Sequence, residues 1–165
     1  SLFRARDDDF FEAYRFILPG YNVRATEIAG AVGLVQLAKL PAMTEQRRKN
    51  WALFQERFAG DERFIIQREN GRSSAFSFTL IVNPATTVDR ARVLAALKDA
   101  DIGYRIITGG NFLRHDAIRF FDYEVVGEVP NADIAHDHGF FVGNFPFDIG
   151  DRINRLHEVL GRVVN

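Results

Sequence analysis

Cysteine is absent from the 165 residues, which excludes a disulfide framework, a thiolate nucleophile and any cysteine-ligated zinc or iron–sulfur centre. An excess of charge of one sign is also lacking. Lysine and arginine total 21 against 22 acidic residues, so the chain has no net field with which to gather nucleic acid or an anionic membrane. No apolar run approaches the roughly 20 residues that span a bilayer, and no signal-peptide pattern opens the chain. The expectation is a cytoplasmic protein with no nucleic-acid partner and no membrane segment. A nucleophile elbow, a Walker loop and a full dinucleotide glycine fingerprint are missing too, and Ser73-Ser74 has no histidine at a diagnostic distance. No catalytic residue is expected within this chain.

What is present is the composition of an ordinary globular protein, 47% hydrophobic and 26% charged, in a length suited to one core. The chain opens Ser1-Leu2-Phe3-Arg4 without an initiator methionine, which reads as an excised fragment. Phenylalanine is abundant, 16 in all, with pairs at Phe10-Phe11, Phe120-Phe121 and Phe140-Phe141 and more at Phe145 and Phe147. Two readings fit: an aromatic-rich core, or a large apolar surface made for a partner. The second predicts that the chain alone exposes apolar surface and self-associates.

Periodicity divides the chain. Phe10 to Leu18 reads as a short strand before the Pro19-Gly20 turn. Thr26 caps a helix bearing Ile28, Val32, Leu34, Val35 and Leu37, ending before Pro41. Its small residues, Ala29, Gly30, Ala31 and Gly33, read as close packing inside the domain. Pro41 opens a second helix with Met43, Arg47, Trp51, Phe54 and Phe58 on one face, ended by Gly60. Phe64 to Ile66 and Phe76 to Val82 read as an antiparallel pair, Val88 to Ala100 as an amphipathic helix, and Ile102 to Ile107 as a third strand. Asp148 to Val164 is a last helix, capped by Asp148 or Asp151. The fold class is therefore α+β, an antiparallel sheet of about three strands packed with helices. Residues 1–24 form a linker or strand leading into it, and residues 25–165 the small domain itself.

Three groups invite chemistry. Thr108-Gly109-Gly110-Asn111 follows a strand and reads either as a tight turn or as a backbone cradle for an anion such as phosphate. Arg105 and Arg114 lie near it in sequence, and Arg24 after the Pro19-Gly20 turn and Arg114 after the glycine pair could make forked contacts to phosphate, with surface salt bridges as the rival use. Asp133, His136 and His138 suggest a metal, but on a helix His136 and His138 point to nearly opposite sides. Helix-terminal histidines are the reading adopted, and no metal site is expected.

The run Gly20-Tyr21-Asn22-Val23-Arg24-Ala25-Thr26-Glu27-Ile28, continuing through Ala31-Val32-Gly33-Leu34 to Gln36-Leu37 and Lys39-Leu40, resembles the DegT/StrS family of sugar-nucleotide aminotransferases. The likeness continues through Arg47-Arg48 with Asn50, Ser73 to Phe78, Ile102-Gly103, Asn131-Ala132-Asp133 and Phe140 to Asn144. Gly110-Asn111-Phe112-Leu113-Arg114 is more similar to the branch of sugar-nucleotide 3-dehydratases than to the tyrosine–histidine element of most family aminotransferases. The resemblance implies the small C-terminal domain of a fold-type I enzyme. Its large N-terminal domain, not contained here, would hold pyridoxal or pyridoxamine 5'-phosphate over a lysine, or a histidine in some dehydratases. It further implies a homodimer working in deoxysugar or surface-polysaccharide synthesis, in which Asn22, and with it Tyr21, reaches the cofactor phosphate of the other subunit. Arg24 is expected near the phosphates of a sugar-nucleotide substrate, and Asn111, Arg114 and His115 near the sugar nucleotide as well. His115 departs from the glutamine often found there, which touches sugar specificity. The alternative from a different class is a stand-alone, non-catalytic α+β binding or dimerisation module.

Overall fold

The computed structural model describes residues 25–107 and 110–163, and the expected strand at Phe10 to Leu18 lies outside them. Contacts divide the chain into residues 1–38 and residues 39–165. Helix α1 runs from Glu27 to Phe58 and begins as expected, with the Thr26 hydroxyl accepting from the Ala29 N–H at 3.2 Å.

Pro41 does not divide two helices, contrary to the sequence reading, but sits inside α1. Proline removes one helical N–H and leaves the Leu37 carbonyl without its donor four residues on. Leu37 and Leu40 are 62% and 50% exposed, so water can serve that carbonyl, while burial of Asn50, Trp51, Phe54 and Phe58 anchors the turns beyond it. The small residues also differ from expectation. A Cβ built on Gly30 or Gly33 meets nothing within 4 Å, and Ala29 and Ala31 are exposed, so no close packing on them is found among the described residues. Gly60 closes the helix at φ +81°, a conformation costly for other residues.

Among the described residues four strands follow, one more than expected: β1 (Phe64–Ile66), β2 (Ser77–Val82), β3 (Arg105–Ile106) and β4 (Gly139–Gly143). They form one antiparallel sheet in the order β1-β2-β4-β3. The unforeseen β4 lies between β2 and β3, which is why its apolar run Phe140-Phe141-Val142 is needed inside the domain. Strict alternation in β2 buries Phe78, Leu80 and Val82, the period-two pattern of a sheet with one covered face. Strand β3 is shorter than read, because Asp101 at φ +55° and the Ile102 N–H bond to the Leu97 carbonyl keep the chain in a helix-ending turn.

Helix α2 (Arg90–Asp99) is capped by Asp89, whose side chain accepts from Ala91 N–H. Helix α3 (Pro130–His138) leads straight into β4, and α4 (Gly150–Gly161) ends the described fold. Neither aspartate occupies the N-cap of α4. Ile149 does, and Asp148 accepts from the Gly150 N–H at 2.9 Å, while Asp151 lies in the first turn. Ile153, Leu156 and Leu160 of α4 join Phe54, Phe58, Phe78, Leu80, Val93, Leu97 and Phe140 in a single core. The phenylalanines divide: five are buried there, including Phe64, while Phe76, Phe112, Phe120, Phe121, Phe145 and Phe147 are exposed.

One ion pair locks the turn into β1. Arg63 donates to both carboxylate oxygens of Asp61, at 2.9 and 2.7 Å, and to the Leu160 carbonyl at the end of α4. The Arg63 side-chain hydrogen bond holds the Asp61 carboxyl below its ordinary value, outweighing burial, which pushes it up. The folded form thus binds this proton less tightly than the unfolded chain. Its stabilisation is full above the ordinary carboxyl range near pH 4 and is lost as pH falls through the lowered value. Asp61→Asn is expected to flatten the acid side of the stability curve, read as the urea midpoint against pH; an acid limb identical to wild type would refute the assignment.

Candidate functional site

Of the residues singled out in the sequence, Tyr21, Asn22 and Arg24 lie outside the described residues. Asn111, Arg114 and His115 fall together on one 3-10 turn, Phe112–Arg114, which Asn111 and His115 flank as its caps. Asn111 is buried and its amide is engaged: Oδ1 accepts from the Leu113 N–H at 3.0 Å, and Nδ2 donates to Asp133 at 2.8 Å. Its backbone N–H donates to Nδ1 of His136 at 3.2 Å. Asp133 and His136, considered as metal ligands in the sequence, hold this turn to α3. Gly110 belongs to the same packing. A Cβ there would stand 2.4 Å from His136 Nδ1, and its φ is +48°, so a side chain is excluded both by space and by backbone conformation.

Arg114 donates to both oxygens of Asp137 at 2.8 Å and lies 3.6 Å from Asp133. The hydrogen bond to Arg114 holds the Asp137 carboxyl below its usual range, and the same bond raises Arg114. One guanidinium nitrogen, Nη1, is already committed to a carboxylate, so the first service of Arg114 is to fasten the turn. His115 stacks on Phe112 at 5.7 Å, with His136 edge-on at 6.0 Å, and Phe112 stays half exposed.

A second set of residues is brought together by sheet register. Arg105 stands opposite Phe141 across the β3–β4 ladder, and the Phe76 ring lies 6.3 Å from that of Phe141. With Arg47, Tyr104, Asn144 and Phe145 they line an open groove of about 610 Å³. Arg105 is exposed, and its side chain has no acceptor among the described residues. Arg47 is partly committed, with Nη1 donating to the Asn144 carbonyl at 2.7 Å. Flat apolar faces beside a guanidinium that has no acceptor among the described residues suit an anion joined to a ring.

Beneath the groove lies a buried amide pair. Asn50 Nδ2 donates to Asn144 Oδ1 at 3.1 Å and to the carbonyls of Phe145 and Phe147 at 3.0 and 2.9 Å. Asn144 Nδ2 donates to the carbonyls of Arg47 and Ala75. The pair ties α1, the entry to β2 and the loop after β4 into one unit, and so sets where Arg47, Phe76 and Phe145 stand. The sequence showed Asn50 and Asn144 only within the family resemblance; Asn144 alone carries a local signal, an isolated amide amid apolar neighbours, while Asn50 follows the basic run Arg47-Arg48-Lys49.

Residues 3–147 match the DegT/DnrJ/EryC1/StrS aminotransferase family. The chain belongs to that family. Among its curated relatives, GDP-4-keto-6-deoxy-D-mannose 3-dehydratase of Yersinia pseudotuberculosis is 44% identical over 93% of this chain. The dTDP-4-dehydro-2,6-dideoxy-D-glucose 3-dehydratase of Saccharopolyspora spinosa is 32% identical over 92%. The solved Escherichia coli GDP-4-keto-6-deoxy-D-mannose-3-dehydratase, which carries hydrated pyridoxal phosphate, superposes with a TM-score of 0.82 at 42% identity over 94% of the chain. A sugar aminotransferase of Micromonospora echinospora shares the fold at 20% identity, with a TM-score of 0.69. The chain spans about 40% of the length of the two GDP-sugar dehydratases, matching their C-terminal part. The α+β small-domain architecture expected for this DegT/DnrJ/EryC1/StrS family member is the one found, with a fourth strand added.

Proposed function

We propose that this chain is the C-terminal part of a pyridoxal- or pyridoxamine-phosphate enzyme acting on 4-keto-6-deoxy sugar nucleotides, on the 3-dehydratase branch of its family. The observation that carries the reading is the 44% identity to a curated GDP-sugar 3-dehydratase across nearly the whole chain. The groove supports it, since a sugar nucleotide is a ring-bearing dianion and the groove offers aromatic faces and an unengaged arginine. Deoxysugar synthesis in the cytoplasm and a homodimeric assembly belong to the same proposal. The exposed stripe Ile28, Val32 and Val35 on α1, beside open Gly30 and Gly33, suits a covering subunit.

The donor set of this chain fits the phosphate end of the cofactor and not its reactive end. Lys39, Lys49 and Lys98 are all exposed on helices, so none has the desolvated pocket that tunes an amine for imine formation. Asn22 and Tyr21 would offer the phosphate a neutral amide and a hydroxyl as donors. When bound, the cofactor supplies the electron sink for transfer of an amino group or loss of a sugar hydroxyl. The chain's own share is binding and orientation. Arg24 and Arg105 would neutralise the diphosphate, while Asn111 and Arg114, tied to α3, would hold Phe112 and His115 in place beside the sugar nucleotide.

The test uses the complete protein and GDP as probe. Arg105→Gln is expected to weaken GDP binding by about tenfold to a hundredfold, the worth of one charge-assisted contact to phosphate, measured by isothermal titration calorimetry. An unchanged affinity would remove the groove from the reading.

A further inference from the structure

We propose that a second cavity, behind the groove, binds a small zwitterion with an apolar body, namely a free α-amino acid carrying an aromatic or branched side chain. The cavity holds about 340 Å³ and lies between the β3–β4 end of the sheet and α4, within the size range of small-molecule sites, about 300–1,000 Å³. Its walls are core side chains, Phe78, Val142, Ile153 and Leu156, so its interior offers an apolar flank no hydrogen bond. Phe145 separates it from the groove and lines both.

Two exposed residues of opposite charge, Arg152 and Asp101, are also among those that line the cavity, and they point to the ligand class. Arg152 lies over the Phe145 and Phe147 rings, 6.0 and 5.8 Å from their centroids, and those rings stack on each other at 5.2 Å. The guanidinium is held in place by π faces, yet none of its donors has an acceptor among the described residues. Asp101 lines the same cavity, and its carboxylate likewise has no partner among the described residues. Arg155 is different, because its Nη2 is committed to the Ala100 carbonyl at 2.7 Å. A simple carboxylate would answer Arg152 but face Asp101, and a simple amine the reverse. A molecule with carboxylate and ammonium on one carbon and an apolar remainder satisfies both charges and fills the walls.

L-Phenylalanine titrated into the complete protein by calorimetry is the test, run to about 10 mM so that millimolar affinities register. Saturable binding is expected, weakened about tenfold or more by Arg152→Gln and by Asp101→Asn. Asp101 sits at φ +55°, where asparagine is at home, so that variant should keep the fold. N-Acetyl-L-phenylalanine and L-phenylalanine amide, each lacking one charge, should bind correspondingly worse. Arg105→Gln, on the groove side of Phe145, should leave phenylalanine binding unchanged, which separates this cavity from the proposed sugar-nucleotide site. Absence of binding, full affinity in R152Q or D101N, equal affinity for either blocked analogue, or equal loss in R105Q would each overturn the assignment.

Discussion

Phe54→Ala is expected to cost about 3–5 kcal/mol, the range for deleting a buried phenylalanine side chain, and to leave the protein close to its unfolding threshold. Phe54 has no exposed surface. Its ring stacks on Phe78 at 4.6 Å, meets Phe58 at 4.7 Å and lies 5.6 Å from Trp51. It is thus the point at which α1 is fixed to the covered face of the sheet, and truncation removes contacts to three rings at once while opening a cavity that rigid aromatics cannot collapse to fill. Domains of this kind have only about 5–15 kcal/mol in total, so the loss is a large share. Urea denaturation should show a sharply lowered midpoint with little change in slope. Phe76→Ala is the control, because Phe76 is 77% exposed and should shift the midpoint only slightly. Equal shifts in the two variants would mean that the core is not organised around Phe54.

Much of this architecture was legible because its signals are local. Alternation in Ser77–Val82, the Asp89 cap, the apolar face of α4 and the positive φ at Gly60 each follow from residues within a few positions of one another. Two of the misreadings have one physical origin, which is tertiary packing overriding a local rule. Pro41 carries a strong stop signal, yet burial of Trp51, Phe54 and Phe58 further on stabilises a continuous helix through it. Phe140-Phe141 looked like partner surface, whereas its first ring is fully buried in the core and the pair sits in a central strand.

The candidate site divides in the same way. Asn111, Arg114 and His115 were named through the resemblance, and because they are consecutive or nearly so one turn keeps them together. The groove was not, because Arg47, Phe76, Arg105 and Phe141 meet only through the pairing of β3 and β2 with β4. Arg105 was noticed as a nearby cation, but nothing in the sequence indicates that it faces Phe141. Family resemblance supplied roles for Tyr21, Asn22 and Arg24, which geometry among the described residues does not reach.

Asn144→Leu is expected to have the other large effect, and to act on stability and on ligand binding together. Asn144 is buried, and its amide spans three partners: Nδ2 donates to the Arg47 and Ala75 carbonyls at 3.0 and 2.9 Å, and Oδ1 accepts from Asn50 at 3.1 Å. Leucine has similar bulk but none of these bonds, so it leaves the Ala75 carbonyl with only the long 3.5 Å bond from Arg47 Nη1 and weakens the hold on Asn50. Each unsatisfied buried group costs about 1–3 kcal/mol, which sets the expected loss at about 2–4 kcal/mol. Asn50→Leu should cost a similar amount, because its Nδ2 also serves the Phe145 and Phe147 carbonyls. The decisive comparison is the double variant. Two members of one network share the penalty of breaking it, so the combined loss should fall short of the sum by about 1 kcal/mol or more. Because the same bonds fix the loop carrying Phe145, GDP affinity in the complete protein should fall in the single variants even at temperatures where they remain folded. Strict additivity, with GDP binding untouched, would reduce the pair to two independent core polar residues with no hand in shaping the groove.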